Sequence, residues 1–290
     1  MIKQTDRLSI GTLFRAFPYR IGVTWGLTLI ETTMFALLPL LIGWSIDGLL
    51  ADDWESFQLL ITALAALLCV AIFRRVYDTR AYGTMRVQLG KELVRRSQKK
   101  PVSVTNARVL MGRELVDFME TTAPESLTAF VQVIVSIVLL FSFHSTLALS
   151  AGAAAIGTIL IYALFARYFF RINGKLNTRL ERQVKTIEGA NVRRIALHFA
   201  GLRRAEVRLS DAESLVYGLI FVVLLTMLAF NLWFAATQSG ATPGQIFSIV
   251  SYSYEFVQAS VALPAMLQAL TRLEEITRRI NQAGDEVGDA

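Results

Sequence analysis

The chain is short of charge and short of cysteine, and each shortage excludes something. Charged residues make up 18% of it against 54% hydrophobic, where a soluble domain carries roughly 25% charge. Its one cysteine, Cys69, rules out an intrachain disulfide and a cysteine metal cluster. Low-complexity segments and repeats of fixed period are absent. So is the strand-length alternation, with turns about every ten residues, that a membrane β-barrel requires. The start, MIKQTDRLSIGTLFRAFPYR, has neither the apolar core nor the small-residue cleavage site of a signal peptide.

What is present is a set of long apolar runs. About 20 consecutive apolar residues cross a bilayer core as a helix. Six stretches qualify: 21–46, 57–76, 124–143, 146–170, 214–237 and 245–269. The charges then orient them. All 29 Lys and Arg residues fall in the N-terminal segment, in Arg74–Arg113, in Arg167–Arg208 or in the tail. The alternate loops Ala51–Ser56, Phe143–Ser145 and Gln238–Gly244 hold none, and Asp52, Asp53 and Glu55 sit in the first. Lys and Arg stay on the cytoplasmic side during insertion, so both termini are expected inside. The net charge of +6 then reflects topology and anionic lipid, and nucleic-acid binding is not expected. His144 and His198 fall on opposite sides in this topology and cannot share a metal within one chain. No metal, no cofactor and no catalytic constellation are expected, and therefore no enzyme.

The connections are unequal. Those on the Arg-free side are too short for domains, whereas 77–123 and 171–213 are long, and each reads as helix, break, helix. Lys99-Lys100-Pro101 ends the first helix, because the residue before a proline avoids α geometry; Ser103, Thr105 and Asn106 offer caps for the next. The second break is expected near His198–Gly201. Spans two to five are therefore expected to continue as helices beyond the membrane. The expected domains are an amphipathic N-terminal segment over 1–20, with Ile10, Leu13, Phe14 and Phe17 at interfacial-helix spacing; a six-helix membrane domain over 21–276; and a tail over 277–290. In the tail region, Glu274 and Glu275 stand four residues before Arg278 and Arg279, which favours another turn or two of helix.

Two acids sit where acids are costly. Glu31 in span one and Glu255 in span six each lie about 16 Å along the helix from the nearer membrane face, at about 1.5 Å per residue. An acid at mid-membrane costs about 2.5–3.5 kcal/mol on insertion scales and usually faces a cavity or relay. Thr24, Thr28 and Glu31 share one helix face, as do Ser248, Ser251, Glu255 and Gln258. Such carboxylates read as a proton or cation site, or as structural groups hydrogen-bonded to a neighbouring helix. The substrate or proton pathway is expected to use Glu31, Glu255, Thr28, Ser251, Tyr252 and Gln258. Tyr252, Tyr254, Trp25, Trp233 and Phe256 are aromatics that suit stacking on a cation or packing. Trp44 and Trp233 fit an interfacial belt, Gln132 and Asn231 fit interhelical hydrogen bonds, and Asp47 fits a cap.

Pro39-Leu40-Leu41-Ile42-Gly43-Trp44-Ser45-Ile46-Asp47-Gly48 resembles the end of the first span in six-helix ATP-binding-cassette exporters. Pro101-Val102-Ser103 resembles the opening of their first coupling segment. Gln238-Ser239-Gly240 with Gly244-Gln245 resembles their loop between spans five and six, and Thr271–Ile276 the helix leading out of span six. The resemblance covers nearly the whole chain in order. It implies an all-α membrane fold of that exporter type, a homodimer around a central cavity lined by spans one and six, and a role in transport. It also departs from the pattern. The family continues into an ATPase domain, and a phosphate-cradling loop needs G-x-x-x-x-G-K-[ST]. Here Gly90-Lys91 and Gly174-Lys175 lack that spacing, and no further domain is expected after Ala290. The chain is expected to carry no nucleotide-binding domain of its own. Three functions stay open: an ion-gradient transporter of a small organic, cationic or peptide solute; a permease subunit served by a separate ATPase; or a non-transporting sensor or assembly partner. The expected setting is a bacterial inner (plasma) membrane, in contact with lipid.

Overall fold

Long apolar runs have to satisfy every backbone N–H and C=O internally when water is absent, and the α-helix does so within one segment. The computed structural model describes residues 10–97, 101–181, 183–189 and 192–262. Among the described residues no strand occurs, and the helices are α1 (Ile10–Ala16), α2 (Pro18–Leu50), α3 (Glu55–Arg96), α4 (Val102–Glu120), α5 (Thr122–Phe143), α6 (Ser145–Glu181), α7 (Gln183–Glu188), α8 (Val192–Thr237) and α9 (243–262). Five helical stretches are long and apolar enough to cross a membrane: α2, α3, α6, α8 and the run Arg108–Phe143 formed by α4 and α5. The sixth expected span, 245–269, is helical over 243–262, and the rest of it lies outside the described residues. So do 277–290, the Thr271–Ile276 motif, Lys99 and Lys100.

Helix length agrees with the expected extensions for spans two, four and five, whereas the helix of span three, α5, begins at Thr122 and does not extend. α3 has 42 residues and α8 has 46, so at 1.5 Å per residue they run about 63 and 69 Å, about twice a 30 Å hydrocarbon core. The short loops fall where they were expected, at 51–54, at His144 and at 238–242. α3 ends before the proline and α4 starts just after it, with Pro101 at the N-cap position.

Two local expectations are corrected. The caps do not form: no side chain caps α4, and Thr105 lies inside the helix, its hydroxyl 3.3 Å from the carbonyls of Ser97 and Pro101. The break near His198–Gly201 is not there either, because α8 runs through it without interruption. The interruption comes earlier, between α7 and α8. Gly201 serves packing instead: Arg179 of α6 donates to its carbonyl, and a Cβ there would stand 3.2 Å from the guanidinium. A further interruption, at Thr121 between α4 and α5, precedes Pro124, which lacks an N–H and fits best in the first turn of a helix, where no intrahelical partner is lost.

The chain divides into two compact units. One comprises the described parts of Met1–Leu139 and Ala241–Ala290, the other Leu140–Gly240. In the second, α6 packs along α8. There Asn231 is fully buried and meets Ser150, as an interhelical hydrogen-bonding residue should. In the first, α2 packs on α3 and α3 on α4. Ile21, Tyr82, Met85, Leu89, Leu115 and Met119 form its core, with Phe17 and Trp25 packed against it. Tyr82 donates to the Met119 carbonyl at 2.8 Å, close to where α4 ends.

Candidate functional site

The site is built on the crossing of α2 and α9. Near the Arg-free end the two helices touch at Gly43 and Gly244, where a Cβ on either residue would strike the other's backbone. The start of α9 is capped twice. Thr242 and Gln245 form a capping box: the Gln245 side chain accepts from the Thr242 N–H at 3.1 Å, and Thr242 Oγ1 accepts from the Gln245 N–H at 3.3 Å. Asp47 of α2 adds a cap from outside, accepting from the Gly244 N–H at 2.8 Å and from the Thr242 hydroxyl.

One turn further along, α2 carries Pro39. Close to it, Tyr252 of α9 inserts its hydroxyl into the helical ladder, donating to the Ala36 carbonyl at 3.1 Å and accepting from the Leu40 N–H at 3.2 Å. A side chain inserted between residue i and residue i−4 in this way is one of the recognised sources of a helix bend. Ser248 donates to the Pro39 carbonyl at 2.8 Å. Ser248 of the α9 stripe, with Tyr252 beside that stripe, is therefore committed to α2.

Beyond Tyr252 the helices leave space. A cavity of 710 Å³ lies in the first unit, lined by residues of α2, α3, α4, α5 and α9. Its polar wall has two pairs. Arg74 of α3 donates through Nε and Nη2 to both carboxylate oxygens of Glu31 on α2, and its Nη1 lies 3.5 Å from Asp78. Gln132 of α5 donates its side-chain N–H to Glu255 of α9. Thr32 and Thr128 meet at 3.0 Å on the same wall. Glu120 faces the cavity and is paired from outside it with Arg86, which also holds Asp117 at 2.6 Å. The apolar wall includes Phe35, Pro124, Ala129, Ala259 and Ala262.

Of the six residues expected on the pathway, four line this cavity: Thr28, Glu31, Glu255 and Gln258. Ser251 and Tyr252 are not on its wall. Tyr252 and Phe256 are fully buried, so neither presents a face for stacking. Tyr254 is 55% exposed, lines the cavity and accepts a 2.7 Å hydrogen bond from Gln258. Trp25 packs against the core of the first unit and edge-on to Phe14. Trp44 and Trp233 are half exposed, as belt residues are. The sequence reading did not place Arg74, Thr32, Thr128, Glu120 or Glu125 here. Arg74 was visible as a charge at the end of an apolar run, but its reach to Glu31 was not. The capping box was legible as Thr-Pro-Gly-Gln.

With that geometry in view, known proteins can be compared. The family model described as the ABC transporter transmembrane region matches residues 10–244. No curated protein matches the chain. The match takes in both compact units and ends at Gly244, in the capped α2–α9 crossing, so the chain belongs to the family of ABC transporter transmembrane regions.

Proposed function

We propose that this chain conducts a small solute across a bacterial plasma membrane, with both termini cytoplasmic, and that Glu255 is the group through which an ion gradient drives it. One observation carries the proposal: of the cavity's four acids, Glu31 and Glu120 are each paired with an arginine and Glu125 is exposed, whereas Glu255 is held by the neutral amide of Gln132. A carboxylate held by a neutral donor, with no cation paired to it, can take up and release a proton. A gradient of one pH unit supplies about 1.4 kcal/mol per proton, and 100 mV adds about 2.3 kcal/mol per charge moved. Together these suffice for well over a hundredfold accumulation of an uncharged solute, whereas exchange of one proton for one monovalent cation moves no net charge and draws on the pH term alone.

Glu255→Gln keeps shape and hydrogen bonding but cannot titrate. In proteoliposomes it is expected to abolish gradient-driven solute movement while leaving thermal stability within about 1 kcal/mol of the parent. Parent-like transport by this variant from pH 5.5 to 8 would refute the coupling role. Glu31 takes a different part in this proposal. It is the fixed partner of Arg74, and Glu31→Gln is expected to act first on stability.

A second reading, a permease subunit energised by a separate ATPase, is supported by the family itself. The two readings part in one measurement. Purified chain alone, given a proton gradient and no nucleotide, moves solute under the first and is inert under the second.

A further inference from the structure

We infer that a cationic organic solute and a proton take turns at Glu255, so that the protein exchanges one for the other across the membrane. The inference rests on the role of Glu255 proposed above and adds both the solute class and the sense of coupling. It comes from the charges around one cavity. The titratable and charged groups sharing that wall with Glu255 are Glu31 of α2, Arg74 and Arg75 of α3, Glu120 of α4, Glu125 of α5 and Tyr254 of its own helix. Glu31 has Arg74 beside it, shared with Asp78, and Glu120 has Arg86, shared with Asp117. Glu125 and Arg75 are both exposed. Glu255 is left with an amide.

An ionised Glu255 facing an empty cavity is therefore an uncompensated charge in a poorly solvated wall, which is costly. Two occupants relieve it, a proton on the carboxyl or a positive centre beside it. They exclude each other, because a protonated carboxyl has no charge to offer a cation. The volume, 710 Å³, falls within the roughly 300–1,000 Å³ of small-molecule sites. The wall also carries aromatic surface, with Phe35 57% exposed and Tyr254 55% exposed, the latter tethered by Gln258. An aromatic face next to a carboxylate suits a cation with an apolar body. In the cycle, a cation entering from one side displaces the Glu255 proton to the water of that side. On the other side a proton from water returns to the carboxyl and the cation leaves. No other bond changes.

The test uses the parent protein in lipid nanodiscs, with tetraphenylphosphonium as cation and tetraphenylborate as an anion of the same shape, and empty nanodiscs as the blank. In weakly buffered solution, binding of the cation is expected to release about one proton per site. Its apparent affinity is expected to fall about tenfold per pH unit once Glu255 is protonated, because the coupling of two ligands is reciprocal. The anion should release none. Glu255→Asp keeps a titratable group and should keep the proton release; Glu255→Gln should lose it. Cation binding with no proton release and no pH dependence overturns the exchange. If Glu255→Gln still abolishes gradient-driven transport in that case, the coupling role survives alone. Unchanged proton release from Glu255→Gln also overturns the exchange, since the proton then belongs to another wall acid. No binding of the cation at millimolar concentration overturns the solute class.

Discussion

Tyr252 and Glu255 sit three residues apart on α9 and do different work. Tyr252 is fully buried, and its hydroxyl both donates to and accepts from the α2 backbone. Removing that hydroxyl takes away both of its hydrogen bonds to α2, each contributing about 0.5–1.5 kcal/mol. Tyr252→Phe is therefore expected to lower the thermal unfolding midpoint by several degrees and to leave the solute's apparent affinity unchanged. A loss of affinity without loss of stability would instead put Tyr252 on the pathway. The Glu31–Arg74 pair makes a second test at this scale. Each partner alone strands the other in the cavity wall, so Glu31→Gln and Arg74→Gln should each destabilise. In a thermal-melt double-mutant cycle the two should then show a coupling of about 0.5–3 kcal/mol. A coupling near zero would leave the pair as a contact of no consequence.

Among the elements, the α2–α9 crossing is the tightest. An added methyl at Gly43 or Gly244 meets the other glycine's backbone as well as the Ser248 or Asp47 side chain, and because the backbone cannot move aside it must push the helices apart. Overpacking of that kind costs about 1–3 kcal/mol. Gly43→Ala and Gly244→Ala are expected to depress the yield of folded protein in size-exclusion chromatography. Gly26→Ala, with nothing within 4 Å of its Cβ position, should behave like the parent. Asp47→Ala removes the cap supplied by α2 and should cost about 0.5–2 kcal/mol. α8 supplies a further test. Its continuity through Gly201 predicts that amide hydrogen exchange is protected on both sides of residues 198–201. Rapid exchange confined to that stretch would restore the break expected from the sequence.

For the whole molecule, topology and assembly are the open quantities. The single cysteine makes topology simple to measure. In a Cys69→Ser background, cysteines placed at Asp53, His144 and Gly240 are expected to react with an impermeant maleimide added outside intact cells, and one at Arg15 only after lysis. Labelling of Arg15→Cys from outside would invert the orientation. The homodimer that the family resemblance implies predicts a doubled mass in nanodiscs. A stable monomer that still exchanges cations would mean that the cavity of one copy is sufficient.

Hydropathy and the distribution of Lys and Arg determined the α class, the positions of the apolar spans and the three short loops. Both are properties of the local chain and need no partner to be read. A helix end near Pro101 was legible for the same reason, since the constraint a proline imposes on its neighbour is local. The tertiary structure decided the partners. Arg74 and Glu31 lie 43 positions apart, Gln132 and Glu255 lie 123 apart, and no spacing rule links them. It also divided the α9 stripe. Ser248, Ser251, Glu255 and Gln258 share one face by periodicity. Because α2 and α9 close to backbone contact at Gly43 and Gly244, Ser248 at that end is covered, while Glu255 and Gln258 are left facing a cavity. Sequence period assigns residues to a face; the distance between two helix axes, set here by a pair of glycines, determines which part of that face stays open.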